Sequence, residues 1–95
     1  MAAKQLIVRC RVKEGAADEV LALLTGYTEV VRAEPGNISF EVFRQVDDDR
    51  AFVSLELYES PEAHVTHRSS ANYQETMLGK IGPLLDRYDV ESFEV

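Results

Sequence analysis

The chain has 95 residues, 45% of them hydrophobic and 28% charged, and a formal net charge of −7. Such a length and composition suit one globular domain, residues 1–95, with a thin core and no low-complexity segment. The acidic balance offers no electrostatic footprint for nucleic acid or an anionic membrane surface, and no apolar run approaches the roughly 20 residues that cross a bilayer. With no visible signal peptide, a cytoplasmic protein is the default expectation.

Leu6, Val8, Cys10 and Val12 alternate with Ile7, Arg9, Arg11 and Lys13, which predicts a strand that is apolar on one side and positive on the other. Cys10 is the only cysteine, so it forms no internal disulfide, and its apolar register predicts a buried, inert thiol. Residues 16–34 read as a long helix. Val20, Leu24, Tyr27 and Val31 form its apolar stripe, Asp18 and Glu19 lie in its first turn and Arg32 in its last. Pro35-Gly36 stops it. Residues 37–46 predict a second strand, with Ile38, Phe40 and Val42 on one face and Ser39, Glu41 and Phe43 on the other. Asp47-Asp48-Asp49 predicts a polar turn, and residues 52–59 a third strand, completing a hairpin. Ser60-Pro61-Glu62 is a helix start, and His64 and His67 follow at helical spacing. Ser69-Ser70 breaks that helix. A second segment, with Gln74, Met77, Leu78 and Ile81 as its stripe, runs to Gly82-Pro83. Residues 87–95 predict a last strand, with Tyr88 and Val90 on one side and Phe93 and Val95 on the other.

The order βαββαβ, with right-handed crossovers, predicts an α+β fold: a four-stranded antiparallel sheet with the helices on one face. The other face should carry some of Phe43, Val53 or Phe52, and Phe93, which calls for a partner; a symmetric dimer is the commonest answer.

Phosphate loops, nucleophile elbows, metalloprotease helices and paired-cysteine motifs are all absent. His64 and His67 stand three apart, but no carboxylate or cysteine at a compelling spacing completes a metal set, so no metal is expected.

The stretch Glu56-Leu57-Tyr58-Glu59-Ser60-Pro61-Glu62-Ala63-His64-Val65-Thr66-His67-Arg68-Ser69-Ser70 pairs a strand ending in a glutamate and an aromatic with a helix bearing alanine, then histidine, then serine. Upstream stand the Glu34-Pro35-Gly36 junction and the Val12-Lys13-Glu14-Gly15 turn. Together, over nearly the whole chain, these resemble the antibiotic biosynthesis monooxygenase family, which includes quinol monooxygenases and the isomerase of a phosphorylated signal molecule. The resemblance implies a ferredoxin-like protomer and a homodimer packed sheet to sheet as an α+β barrel. It also implies a pocket between sheet and helices, no cofactor, and a small aromatic or quinol substrate that reduces dioxygen itself. The protein's task is then to take a proton, hold the anion and exclude water.

By the same resemblance His67 is the base or anchor, since a neutral imidazole with a pKa near about 6.5 accepts a phenolic proton. Glu56 is its expected partner, or binds a substrate hydroxyl. Tyr58 and Tyr73 are candidate hydrogen-bond donors, and Asn37 and Ser39 candidates for the pocket mouth. The chain departs from the family at Ala71-Asn72, where many members have proline and histidine; Asn72 can hydrogen-bond in the site but exchanges no proton near neutral pH. The chain has no tryptophan, which sets it apart from the haem-degrading relatives. Two other readings remain open: an isomerase of a small polar metabolite, phosphorylated or not, which Arg9, Arg11 or Arg44 facing the cavity would favour, and a non-catalytic dimeric binding protein.

Overall fold

The computed structural model describes residues 2–95. Its elements are β1 (Lys4–Val12), α1 (Ala17–Arg32), β2 (Asn37–Gln45), β3 (Asp48–Tyr58), α2 (Pro61–Arg68), a π-helix (Tyr73–Ile81), a 3-10 turn (Gly82–Leu84) and β4 (Leu85–Glu94). The sheet order is β2-β3-β1-β4 with every neighbour antiparallel. This is the expected split βαβ arrangement: each helical connection passes over one strand, β3 filling the gap left by the first and β1 occupying that of the second. The ferredoxin-like fold is therefore as the sequence predicts.

The face towards the helices carries the even-numbered residues of β1 and β3. Leu6, Val8 and Val12 of β1, Phe40 of β2 and Phe52 of β3 are buried there against Val20, Leu24, Tyr27 and Val31 of α1 and Met77 and Ile81 of the π-helix. Phe52 thus belongs to the core, and of the two alternatives Val53 is the one on the open face. That face presents Phe43, Leu55 and Phe93, each more than a third exposed.

Three local expectations change. The hairpin turns on Val46-Asp47, and β3 begins at Asp48, four residues earlier than expected, because Asp48 pairs instead of turning: it accepts from Arg11 (3.0 Å) and from the Arg50 amide (3.1 Å). Ile38 is 57% exposed instead of sharing the core face of Phe40, because the register slips between Asn37 and Ser39. The second helical segment winds with π geometry, the Gly82 amide donating to the Met77 carbonyl five residues back. In that wider turn Tyr73, Met77 and Ile81 face the sheet, and Gln74 and Leu78 are exposed.

Two junctions position the site. Ser60 caps α2, its hydroxyl accepting from the Ala63 amide at 3.1 Å, with Pro61 in the first turn. At the other, α2 sits directly on the corner that ends α1: a Cβ added to Gly36 would lie 2.5 Å from the Ala63 Cβ. The Glu59 amide donates to the Gly36 carbonyl at 3.0 Å. Glycine is needed there for close approach, and the approach brings Glu34 under α2.

Candidate active site

β3 lies inside the sheet, and Ser54, Glu56 and Tyr58 stand in a row on its helix-facing side. The cross-strand partners of Glu56 are Leu6 and Phe40, both buried and apolar. A carboxylate in such a place must be hydrogen-bonded. It is: Oε1 accepts from the Tyr58 hydroxyl at 2.9 Å and Oε2 from the Ser54 hydroxyl at 2.8 Å. Burial nonetheless pushes its pKa up, against the opposing pull of the two hydroxyls and of His67.

His67, in the last turn of α2, is 3% exposed. Its Nδ1 lies 2.9 Å from Glu34 Oε1, and its Nε2 lies 3.2 Å from the Tyr27 hydroxyl. An ionised carboxylate only accepts, so this network assigns the ring proton to Nδ1 and leaves the Nε2 lone pair to accept from Tyr27. The expected partner of His67 was Glu56; its hydrogen-bonded carboxylate is Glu34. The reason is tertiary, since Glu56 is already taken up by Tyr58 and Ser54 while the Gly36 corner places Glu34 against α2. The ring is further confined by Tyr58 and Tyr73, with centroids 5.1 and 5.3 Å away, and by His64 stacked at 6.0 Å. Burial, then the charge of Arg68 with smaller effects of His67 and Lys4, pushes the His64 pKa down to about 4, so His64 is neutral near pH 7. Burial raises the hydroxyl pKa of Tyr27, Tyr58 and Tyr88, and Glu56 adds to each, so all three are protonated donors.

Tyr27, Ser54, Glu56, His64, His67 and Tyr73 wall a cavity of about 320 Å³ between sheet and helices, together with Arg68 and apolar residues such as Leu6, Val8, Leu24 and Met77. Three of its lining residues are exposed to solvent: Tyr88 and Val90 of β4, at 44% and 49%, and Arg68 at the end of α2. Cys10 lines the same cavity as a half-buried thiol whose pKa burial raises, which leaves it poorly nucleophilic. A second, outer groove lies behind α2, lined by Glu34, Asn37, Glu59, Ser60 and Thr66, and His67 borders it as well.

Of the residues singled out from the sequence, His67, Glu56 and Tyr73 line the cavity. Tyr58 is fully buried behind Glu56. Asn72 lies outside the lining and donates to the Tyr27 carbonyl at 3.4 Å. Asn37 stitches the slipped register of β2, donating to the Ser39 and Leu57 carbonyls at 3.1 and 3.4 Å, and borders only the outer groove. Ser39 pairs opposite Leu57, on the far side of the sheet from the cavity. Tyr27, Glu34 and Ser54 were missed. By pattern Tyr27 belongs to the core stripe of α1, and Glu34 to the helix end and the Glu34-Pro35-Gly36 junction; that junction is the signal that could have found Glu34. Among the described residues no three His, Cys, Asp or Glu side chains converge as metal ligands, and no helix is long and apolar enough to cross a membrane.

A ferredoxin-like α+β protomer with a histidine–carboxylate pair in an apolar cavity defines the class. Residues 5–77 match the sequence profile of the antibiotic biosynthesis monooxygenase family, and the chain belongs to that family. No functionally curated protein matches it. Among solved structures, a Mycobacterium tuberculosis protein is 28% identical with TM-score 0.87, covering 96% of this chain and 92% of its own. A Pseudomonas aeruginosa protein is 17% identical with TM-score 0.92, covering 100% and 95%. A third structure, described as an antibiotic biosynthesis monooxygenase, is 22% identical with TM-score 0.86, covering 97% and 95%.

Proposed function

We propose that the chain is a cofactor-independent monooxygenase acting on a small neutral phenol or quinol. The observation that carries this is a buried acid–base set, Tyr27–His67–Glu34 with Glu56 opposite, opening on a mostly apolar cavity of about 320 Å³. The substrate hydroxyl loses its proton to this set, and the phenolate gives an electron to dioxygen. The two radicals join in a C–O bond. The O–O bond then breaks as the carbon loses its hydrogen, one oxygen remaining as a carbonyl and the other leaving as water. Phenol plus dioxygen thus gives quinone plus water, a four-electron oxidation matched by the four-electron reduction of dioxygen. The chain's part is deprotonation, orientation and exclusion of water.

The geometry favours this reading over the isomerase. Arg9 and Arg11 lie on the open face, paired with Glu91 and Asp48, and Arg44 lies over the Phe52 ring at 5.1 Å. Arg68 is the only Lys or Arg of the cavity lining, too few for a phosphate in a pocket otherwise mostly apolar. Two copies packed by their open sheet faces would cover Phe43, Leu55 and Phe93.

The test is oxygen uptake with a panel of quinols and anthrones. Wild type is expected to consume one dioxygen per substrate and to make no hydrogen peroxide, and His67→Ala to lose roughly 10²-fold or more in kcat. Equal rates for the two proteins would remove His67 from the mechanism. Ligand-dependent stabilisation without turnover of any member of the panel would favour a binding protein.

A further inference from the structure

His67 has no free ring nitrogen to offer a substrate: Nδ1 is held by Glu34 and Nε2 faces the Tyr27 hydroxyl. Tyr27 lines the cavity, whereas Glu34 lines only the outer groove, and His67 borders both. The hydroxyl oxygen of Tyr27 has a lone pair left to accept a hydrogen bond while it donates to His67. We propose that Tyr27 is the group that meets the substrate, that it hands the proton on to His67, and that Glu34 is the positioning carboxylate of this relay. The inference rests on the oxygenase reading of the cavity and gives Tyr27 and Glu34 the separate roles within the acid–base set that the reading itself leaves unassigned.

The steps balance. The substrate hydroxyl proton moves to Tyr27 Oη as the proton of Tyr27 moves to His67 Nε2, leaving a phenolate and an imidazolium. Glu34 fixes the tautomer and stabilises the imidazolium, as the carboxylate of a catalytic triad does. Later the proton travels back through Tyr27 to the oxygen that leaves as water, and the resting tautomer is restored. Titratable groups face His67 from every side: Tyr27 on α1, Glu34 at the corner, Glu56 and Tyr58 on β3, His64 on its own helix and Tyr73 on the π-helix. Only Tyr27 and Glu34 are hydrogen-bonded to the ring.

Two measurements test this separately from the oxygenase reading. Nitrogen NMR of the ligand-free protein, labelled at histidine, should show His67 near pH 7.5 protonated at Nδ1 and bare at Nε2, with this preference lost in Glu34→Ala. A resting ring protonated at Nε2 would overturn the relay whatever the enzyme does. In turnover, Tyr27→Phe keeps the ring that packs edge-on to Phe40 at 5.8 Å and removes only the hydroxyl. It should lower kcat roughly 10²-fold with KM changed only a few-fold. A near-wild-type Tyr27→Phe would show that substrate reaches His67 directly and would sink the Tyr27 step. Glu34→Ala should lose as much, and because Glu34 opens on the outer groove, millimolar formate or acetate should restore part of that activity without restoring His67→Ala. If neither carboxylate restores Glu34→Ala and Glu34→Gln matches wild type, the charge of Glu34 has no part. Absence of turnover in wild type with every substrate would fell the oxygenase reading, while the NMR result would still decide the tautomer.

Discussion

At the residue scale the site is a set of titratable groups whose protonation is decided by neighbours rather than by residue type. Glu56 and His64 are both held towards their neutral forms by burial, which gives them opposite consequences for stability. The folded His64, with its pKa near 4, stays neutral where an unfolded histidine gains a proton. Below about pH 6.5 the unfolded state therefore binds more protons, and stability falls with pH until about pH 4. Glu56 acts the other way: its raised pKa lowers stability as pH rises above the ordinary carboxyl range. A comparison of wild type with His64→Gln cancels the Glu56 contribution. Urea unfolding at pH 7.5 and pH 4.5 should show the variant losing less stability on acidification, by about 1 kcal/mol once solvent screening at this half-buried position is allowed for. Identical pH profiles would mean that His64 is protonated as readily in the fold as out of it.

At the element scale, the decisive contact is between the corner after α1 and the first turn of α2. The Gly36–Ala63 approach has no room for a methyl group, so Gly36→Ala must lift α2 or bend the corner. Overpacking of this kind costs about 1–3 kcal/mol. Because the same contact carries Glu34 to His67, the substitution should weaken that hydrogen bond as well as the fold. Thermal unfolding of Gly36→Ala, Ala63→Gly and the double variant should show recovery in the double relative to the sum of the singles. Strict additivity would mean that the two residues do not meet. The strand and helix periods, the Ser60 cap and the Pro35-Gly36 stop were all legible in the sequence, because each depends on residues within a turn of one another. The β2 slip at Ile38 and the π winding were not. Ile38 fits an ordinary core alternation, and Met77 and Ile81 fit an ordinary helical stripe, so nothing in the local pattern distinguishes the wider turn from the narrower one.

At the scale of the whole molecule, the sheet is finished on one face and bare on the other. Burial of Phe43, Leu55 and Phe93 against a second copy would remove a band of apolar surface that a monomer leaves in water. Sedimentation of wild type should give twice the mass of the chain, and Leu55→Glu, which places a charge at the centre of that face, should shift it to the monomer. A monomeric wild type across the micromolar range would discard the sheet-to-sheet dimer.

By itself the sequence determined the order of the elements, the antiparallel sheet with its helices on one face, and the family with His67 as its firmest candidate residue; the face that His67 takes came from the structure. Those rest on periodicity, caps and breakers, which act over a few residues, and on motifs whose order survives divergence. Only the tertiary structure decided which carboxylate serves that histidine. Glu34 and Glu56 are both buried or nearly so and both lie in motifs of the family, yet they are far apart in the chain. One is used up by Tyr58 and Ser54 on its own strand, and the other is delivered by a glycine corner that lets α2 close onto it. Tyr27 shows the same limit. A tyrosine on an apolar helical stripe is a core residue by pattern, and only its 3.2 Å contact with His67 makes it part of the chemistry.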